Sequence, residues 1–160
     1  MKSAQLYSVT KTDELYEVVI NNETILADVV VLAVPNESVR DVLVDADLEM
    51  NLSKFTTASA LTMYLGYDVP DSLLPMDGTG FIVSHNSDLV CNASTWTSRK
   101  WKHTSADGNL LVRLFYKNIN PRYEELAAMS DDELMVVARE DIRLSLGIED
   151  APTIVNVTKW

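Results

Sequence analysis

The segment from Asn109 to Tyr116 restricts the fold more than any other. Leu110, Val112, Leu114 and Tyr116 occupy one parity, and Asn109, Leu111, Arg113 and Phe115 the other. Side chains alternate across a strand, so a strand apolar on both parities must be covered on both faces. One cover is legible further along. Ser130 and Glu133 fit a capping box, in which the serine accepts from the amide three residues on and the glutamate reaches back. Leu134, Ala138, Ile142 and Leu146 recur every four residues with Val137 beside them. Gly147 suits the left-handed position that closes a helix. The spacing predicts a helix over 131–146 lying on the sheet. The second cover is either another domain or a flat ligand.

The rest of the chain reads mainly as strands. Residues 4–10 and 15–20 alternate apolar and polar and form an N-terminal hairpin, with a short third strand at 24–26 after the Asn21-Asn22 turn. Ala27 to Val34 is almost continuously apolar and β-branched, the pattern of a strand buried on both faces, and Pro35 ends it. Asn36 or Ser38 is placed to cap a short helix through Val39, Val42 and Leu43. Residues 45–55 read as a connector, 56–68 as extended, and 70–80, with Pro70, Pro75, Gly78 and Gly80, as a loop. Further strands are expected at 80–85, 90–98, 109–116 and 153–160, with a tight turn at Asp107-Gly108. The expected fold is α/β with α+β character. It has a mixed, largely antiparallel sheet packed by the long helix 131–146, plus the N-terminal hairpin and the buried strand. The chain begins almost on a strand and ends inside one, and it is expected to be an internal part of a larger protein.

Charge and composition exclude several functions. Asp and Glu number 24 against 13 Lys and Arg, for a net charge of −11. Such a surface repels phosphate backbones, so nucleic acid is not an expected partner. No apolar run reaches the ~20 residues of a membrane span, and no signal peptide is evident at the N-terminus. With one cysteine, Cys91, and two histidines, His85 and His103, the sequence offers no disulfide framework, no metal cluster and no nucleophile triad. A cytoplasmic location is the simplest reading. Gly78-Thr79-Gly80 has Val83 where a dinucleotide fingerprint needs glycine, and it precedes a strand instead of a helix. Arg99, Lys100 and Lys102 lie beside His103. Basic runs are usually solvated faces, and that reading is preferred to an anion site on these residues alone. Arg113 and Phe115 share a parity, which reads first as a core aromatic with a rim arginine.

Several segments together resemble the FAD-dependent protoporphyrinogen/coproporphyrinogen oxidases, of the Gram-positive bacterial type. Ala27-Asp28-Val29-Val30-Val31-Leu32-Ala33-Val34-Pro35 is similar to the family's A-D-x-V-V-x-A-x-P strand, a pattern shared with many flavin amine-oxidase relatives. Asp77-Gly78-Thr79-Gly80-Phe81 resembles its D-G-T-G-F turn. The more specific likeness is Thr95-Trp96-Thr97-Ser98-Arg99-Lys100-Trp101-Lys102-His103-Thr104, which resembles T-W-x-x-x-K-W-x-H-T. Leu110 to Tyr116, Ser130 to Leu134 and Val157 to Trp160 resemble the strand, helix start and strand that follow.

The resemblance implies a division of the chain. Residues 1–44 would belong to a discontinuous FAD-binding domain, 45–54 to a connector, and 55–160 to a substrate-binding domain. It implies a porphyrinogen substrate, FAD as cofactor, oxygen as final acceptor and a place in haem biosynthesis. Peripheral membrane contact of the whole enzyme is compatible with it. The substrate ring would lie against Ile82, Thr95 and Phe115, with Thr95 smaller than the apolar residue some relatives carry there. Arg113 and Lys100 would meet substrate carboxylates. Leu6 would offer backbone groups to the adenine of FAD, Ala33 and Pro35 would lie along the cofactor, and Trp160 would lie close to it. No catalytic residue is implied, because the cofactor performs the redox step while the protein binds and orients. A part of this kind is expected to be inactive alone and to self-associate through uncovered apolar surface. Two other readings remain open: another flavoprotein, such as an amine oxidase or carotenoid desaturase, and a self-contained α/β binding domain without cofactor.

Overall fold

The computed structural model describes residues 4–45, 58–74, 76–105 and 107–160. The chain divides into two units, up to Thr57 and from Ala58 onward. Most of the expected connector 45–55, the first residues of the expected strand 56–68, and Pro75 lie outside the described residues.

In the first unit, β1 (Leu6–Lys11), β2 (Tyr16–Ile20) and β3 (Glu23–Ala27) form an antiparallel meander. Thr12 closes the first turn, donating to the Leu15 carbonyl through both its amide and its hydroxyl at 2.8 Å. Asn21 and Asn22 carry the second turn at positive φ, the backbone that a two-residue hairpin requires and that asparagine tolerates. The helix α1 (Asn36–Val42) follows, and β4 (Leu43–Asp45) returns parallel to β1 in the order β3-β2-β1-β4. Val9 and Val18 of the sheet and Val39 and Val42 of the helix are buried. The capping expectation is corrected. Pro35 takes the cap position and makes no side-chain bond, because proline has no polar side-chain atom to offer.

The strand expected at 27–34 is also corrected. After Ala27 the backbone joins no ladder, and Val29 and Val31 are 75% and 85% exposed. A strand needs a neighbour to pair its N–H and C=O groups. β4, which follows 28–34 in the chain, pairs with β1, and no strand among the described residues pairs with 28–34.

In the second unit the chain order is β5 (Ala60–Pro70), β6 (Gly80–Ile82), β7 (Ala93–Trp96), α2 (Thr97–Lys100), β8 (Asn109–Lys117), α3 (Tyr123–Ala128), α4 (Asp131–Leu146) and β9 (Ile154–Lys159). The strands form one antiparallel sheet in the order β6-β7-β8-β5-β9. α4 has the expected limits. Glu133 N–H donates to Ser130 Oγ at 3.3 Å, Ser130 N–H donates to Glu133 Oε2 at 2.8 Å, and Gly147 is left-handed. Its stripe of Leu134, Ala138, Ile142 and Leu146 shares a buried core with Leu61, Met63, Leu65, Leu110, Val112, Leu114 and Tyr116. β8 alternates buried and half-buried residues as its two parities require.

The expected strands 80–85 and 90–98 are shorter in the structure. Val90 and Cys91 donate their N–H groups to the Asp141 carboxylate of α4 at 2.7 and 2.8 Å, so those donors leave the ladder. Beyond Trp96 the chain turns into α2. α3 and β4 are additions that local patterning does not show. No helix among the described residues is long and apolar enough to cross a membrane.

Candidate functional site

α4 covers one face of the five-stranded sheet, and the pairing register fixes what stands on the other. Ile82 is paired with Ala93, Ala93 with Phe115, and Phe115 with Thr62, which pairs with Thr158. Two residues along, Gly80, Thr95, Arg113, Tyr64 and Asn156 form a second cross-strand row. Directly paired residues share a face. The sequence-predicted Ile82, Thr95, Arg113 and Phe115 are therefore brought together. Ile82 is 88% exposed, and Thr95, Arg113 and Phe115 are half-buried. Trp160, 75% exposed, donates its indole N–H to Thr62 Oγ1 at 3.3 Å. Beside Ile82 a cleft of about 460 Å³ runs past His85, Leu89, Lys117 and Ile119.

Among the described residues Arg113 is the cation embedded in this face, half-buried where Lys117 at the end of β8 is exposed. Its guanidinium carbon lies 4.4 Å from the Phe115 ring centre and 5.2 Å from that of Tyr64. Nη1 donates to the Tyr64 hydroxyl at 2.6 Å. Nε–H is buried without an acceptor. Arg122–Glu125 and Arg143–Glu140 form ion pairs, and among the described residues no carboxylate pairs with Arg113.

Lys100 stands apart. It is exposed on α2 with its ammonium 4.8 Å from the Trp101 ring centre, and no contact joins it to the Arg113 row. Arg99 is committed to structure, donating to the carbonyls of Met76, Asp71 and Leu74. Lys102 and His103 are exposed, as a solvated basic run would be. Leu6, Ala33 and Pro35 belong to the first unit: Leu6 opens β1 half-buried, and Ala33 and Pro35 are exposed in the segment before α1.

The covered face holds a buried carboxylate. Asp141, 1% exposed, accepts from Val90 N–H, Cys91 N–H and, at 3.0 Å, the Tyr116 hydroxyl. Burial raises its pKa against the lowering effect of those donors. Burial, and then Asp141 itself, push the Cys91 thiol upward, away from a reactive thiolate. Tyr64, Thr62 and Asp141 were missed as functional or organising residues. For Tyr64 and Thr62 a signal existed in the alternation of Leu61, Met63 and Leu65 with Thr62, Tyr64 and Gly66.

Residues 3–160 match the family described as flavin containing amine oxidoreductase. The chain belongs to that family. It is 27% identical to a coproporphyrinogen III oxidase of Bacillus subtilis (strain 168), over the whole chain and 35% of the relative. It is 32% identical to the coproporphyrinogen III oxidase of Staphylococcus aureus, over 62% of the chain and 22% of the relative. A crystal structure from Exiguobacterium sp. 255-15, carrying a provisional protoporphyrinogen oxidase assignment, superposes with a TM-score of 0.67 at 29% identity, over 98% of this chain and 34% of that one. The chain thus spans about a third of the length of the first of these relatives and of that structure.

The family implies a flavin. The exposed run around Val29, Val31 and Ala33 offers apolar surface of the kind a flat ring lies against. A pyrophosphate cradle is absent among the described residues. Gly78 and Gly80 have positive φ, but a Cβ on Gly80 would sit 2.2 Å from the Ser94 carbonyl oxygen. That glycine serves close packing of β6 on β7.

Proposed function

We propose that the chain is an internal part of a FAD-dependent oxidase that converts a porphyrinogen, coproporphyrinogen III in preference to protoporphyrinogen IX, to its porphyrin. The observation that carries this reading is the open sheet face, with Ile82, Thr95 and Phe115 beside an arginine that no carboxylate among the described residues pairs with. The relatives' own assignments support it.

In this reading residues 1–44 contribute to the FAD-binding domain and 55–160 to the substrate domain. Ile82 and Phe115 give the macrocycle an apolar wall, and Thr95 leaves room beside them. Covering that wall with substrate removes water from it, which supplies binding energy of about 25 cal/mol per Å² of apolar surface. Arg113 meets a substrate carboxylate, and Lys100 a second one at the periphery. Leu6, Ala33, Pro35 and Trp160 lie along the cofactor. Bound FAD supplies the hydride acceptor, with oxygen as the final oxidant. No side chain of this chain takes an acid–base role; its residues bind, orient and exclude water. The enzyme is cytoplasmic, with peripheral membrane contact available to the whole protein.

The test is the whole protein reconstituted with FAD and supplied with coproporphyrinogen III in air, followed by porphyrin fluorescence. Fluorescence growing with flavin-dependent turnover is expected. Oxidation of amines without any porphyrin formation would overturn the proposal. The isolated 160-residue chain is expected to bind little FAD, to be inactive and to self-associate. A stoichiometric flavin absorption band in the purified chain would contradict that expectation.

A further inference from the structure

We propose that Tyr64 is a positioning residue that holds Arg113 ready for a ligand carboxylate. This makes the open face selective for the acid form of its flat substrate over a neutral ester, and the inference rests on the function proposed above.

A free arginine side chain loses rotamer entropy when it is fixed. Here the fixing is built in before a ligand arrives. Phe115, two residues along the same strand, and Tyr64, across the ladder, both place rings against the guanidinium. The Tyr64 hydroxyl accepts from Nη1.

The holder is neutral, and that is the decisive point. An acid at position 64 would fix the guanidinium equally well and cancel its charge. With 24 Asp and Glu in the chain, none pairs with Arg113 among the described residues. Among the described residues Nη1 alone of its three nitrogens has an acceptor, and Nε is buried without one. A partly desolvated cation with unused donors stabilises an anion more strongly than a fully solvated one does.

Placement fits the same ligand class. The apolar row through Ile82 and Phe115 and the row through Thr95, Arg113 and Tyr64 are two residues apart along the strands. That is about 7 Å, the distance from the body of a flat ring to a carboxylate on a short side arm.

The experiment measures kcat/KM of the whole FAD-loaded protein for coproporphyrinogen III and for its tetramethyl ester. It is run on wild type, Tyr64→Phe, Arg113→Leu and the double variant. Each acid-to-ester ratio is taken within one variant, so differences in the amount of folded enzyme cancel. The ratio is expected to fall about tenfold in Arg113→Leu and about three- to fivefold in Tyr64→Phe. In the double variant it should fall no further than in Arg113→Leu, because Tyr64 acts through Arg113. A ratio indifferent to Tyr64→Phe, or one that drops additively in the double variant, overturns the positioning role. Turnover of both compounds with a ratio unchanged in Arg113→Leu overturns the carboxylate assignment and leaves the porphyrinogen reading standing. Turnover of neither compound by the wild type overturns that reading itself.

Discussion

The two faces of the five-stranded sheet are built from alternate residues of the same strands, yet they are organised for different ends. On the α4 side, Leu61, Met63, Val112 and Leu114 share a core with Leu134 and Ile142, and the buried Asp141 carboxylate has three donors. On the other side, Ile82 stands in solvent, Phe115 and Thr95 are half-buried, and Arg113 is held by rings and a neutral hydroxyl. One face has met its partners within the unit. The other has polar and apolar groups arranged but uncovered, as a ligand wall would be.

If that contrast is right, truncations on the two faces must differ in kind. The largest loss is expected for Leu134→Ala. Deleting a fully buried leucine removes transfer energy and leaves a cavity, about 2–5 kcal/mol in all. Denaturant unfolding followed through the buried Trp96 measures it, and a loss under about 1 kcal/mol would break the claim that α4 closes a packed core.

Asp141→Asn comes next, at about 1–3 kcal/mol, because an amide cannot accept from three donors without placing its own N–H groups against them. This variant also carries a pH signature. Burial raises the Asp141 pKa above its ordinary 3.8. Between the ordinary and the raised value, the folded state keeps a proton that the unfolded state has lost. Stability from this group is therefore fully present below about pH 4 and falls as pH rises through the raised pKa. The wild-type minus Asp141→Asn stability difference should decline with rising pH in that window, by at most about 1.4 kcal/mol per unit. A difference that grows with pH would show that the three donors outweigh burial.

The smallest effect belongs to the open face. Ile82→Ser should change stability by no more than about 0.5 kcal/mol, since the side chain is solvated already. A larger loss by the same unfolding measurement would mean that Ile82 packs on something within the chain.

What the sequence made legible follows the same division. The two parities of Asn109 to Tyr116 and the capped stripe of α4 are local signals, and both stand in the structure within a residue. The start of β7 was not legible, because Asp141, about fifty residues away, takes the amides of Val90 and Cys91. The run from Val29 to Val34 shows the limit of apolarity as a guide. It marks residues suited to burial, not the strand that must pair with them. At the candidate site, parity alone put Arg113 and Phe115 together, and the family resemblance added Ile82 and Thr95. Alternation along β5 puts Tyr64 on the face opposite Leu61, Met63 and Leu65, but its place beside Arg113 depends on cross-strand register, which alternation within one strand does not give.

The most direct test of the two-face account is hydroxyl-radical footprinting of the whole FAD-loaded protein with and without coproporphyrin III. The account predicts that oxidation of Ile82, Tyr64 and Phe115 drops when the porphyrin is present. Val136 and Leu144, exposed on α4, should stay as reactive as before. Protection of the α4 residues, with Ile82 and Phe115 unchanged, would contradict it.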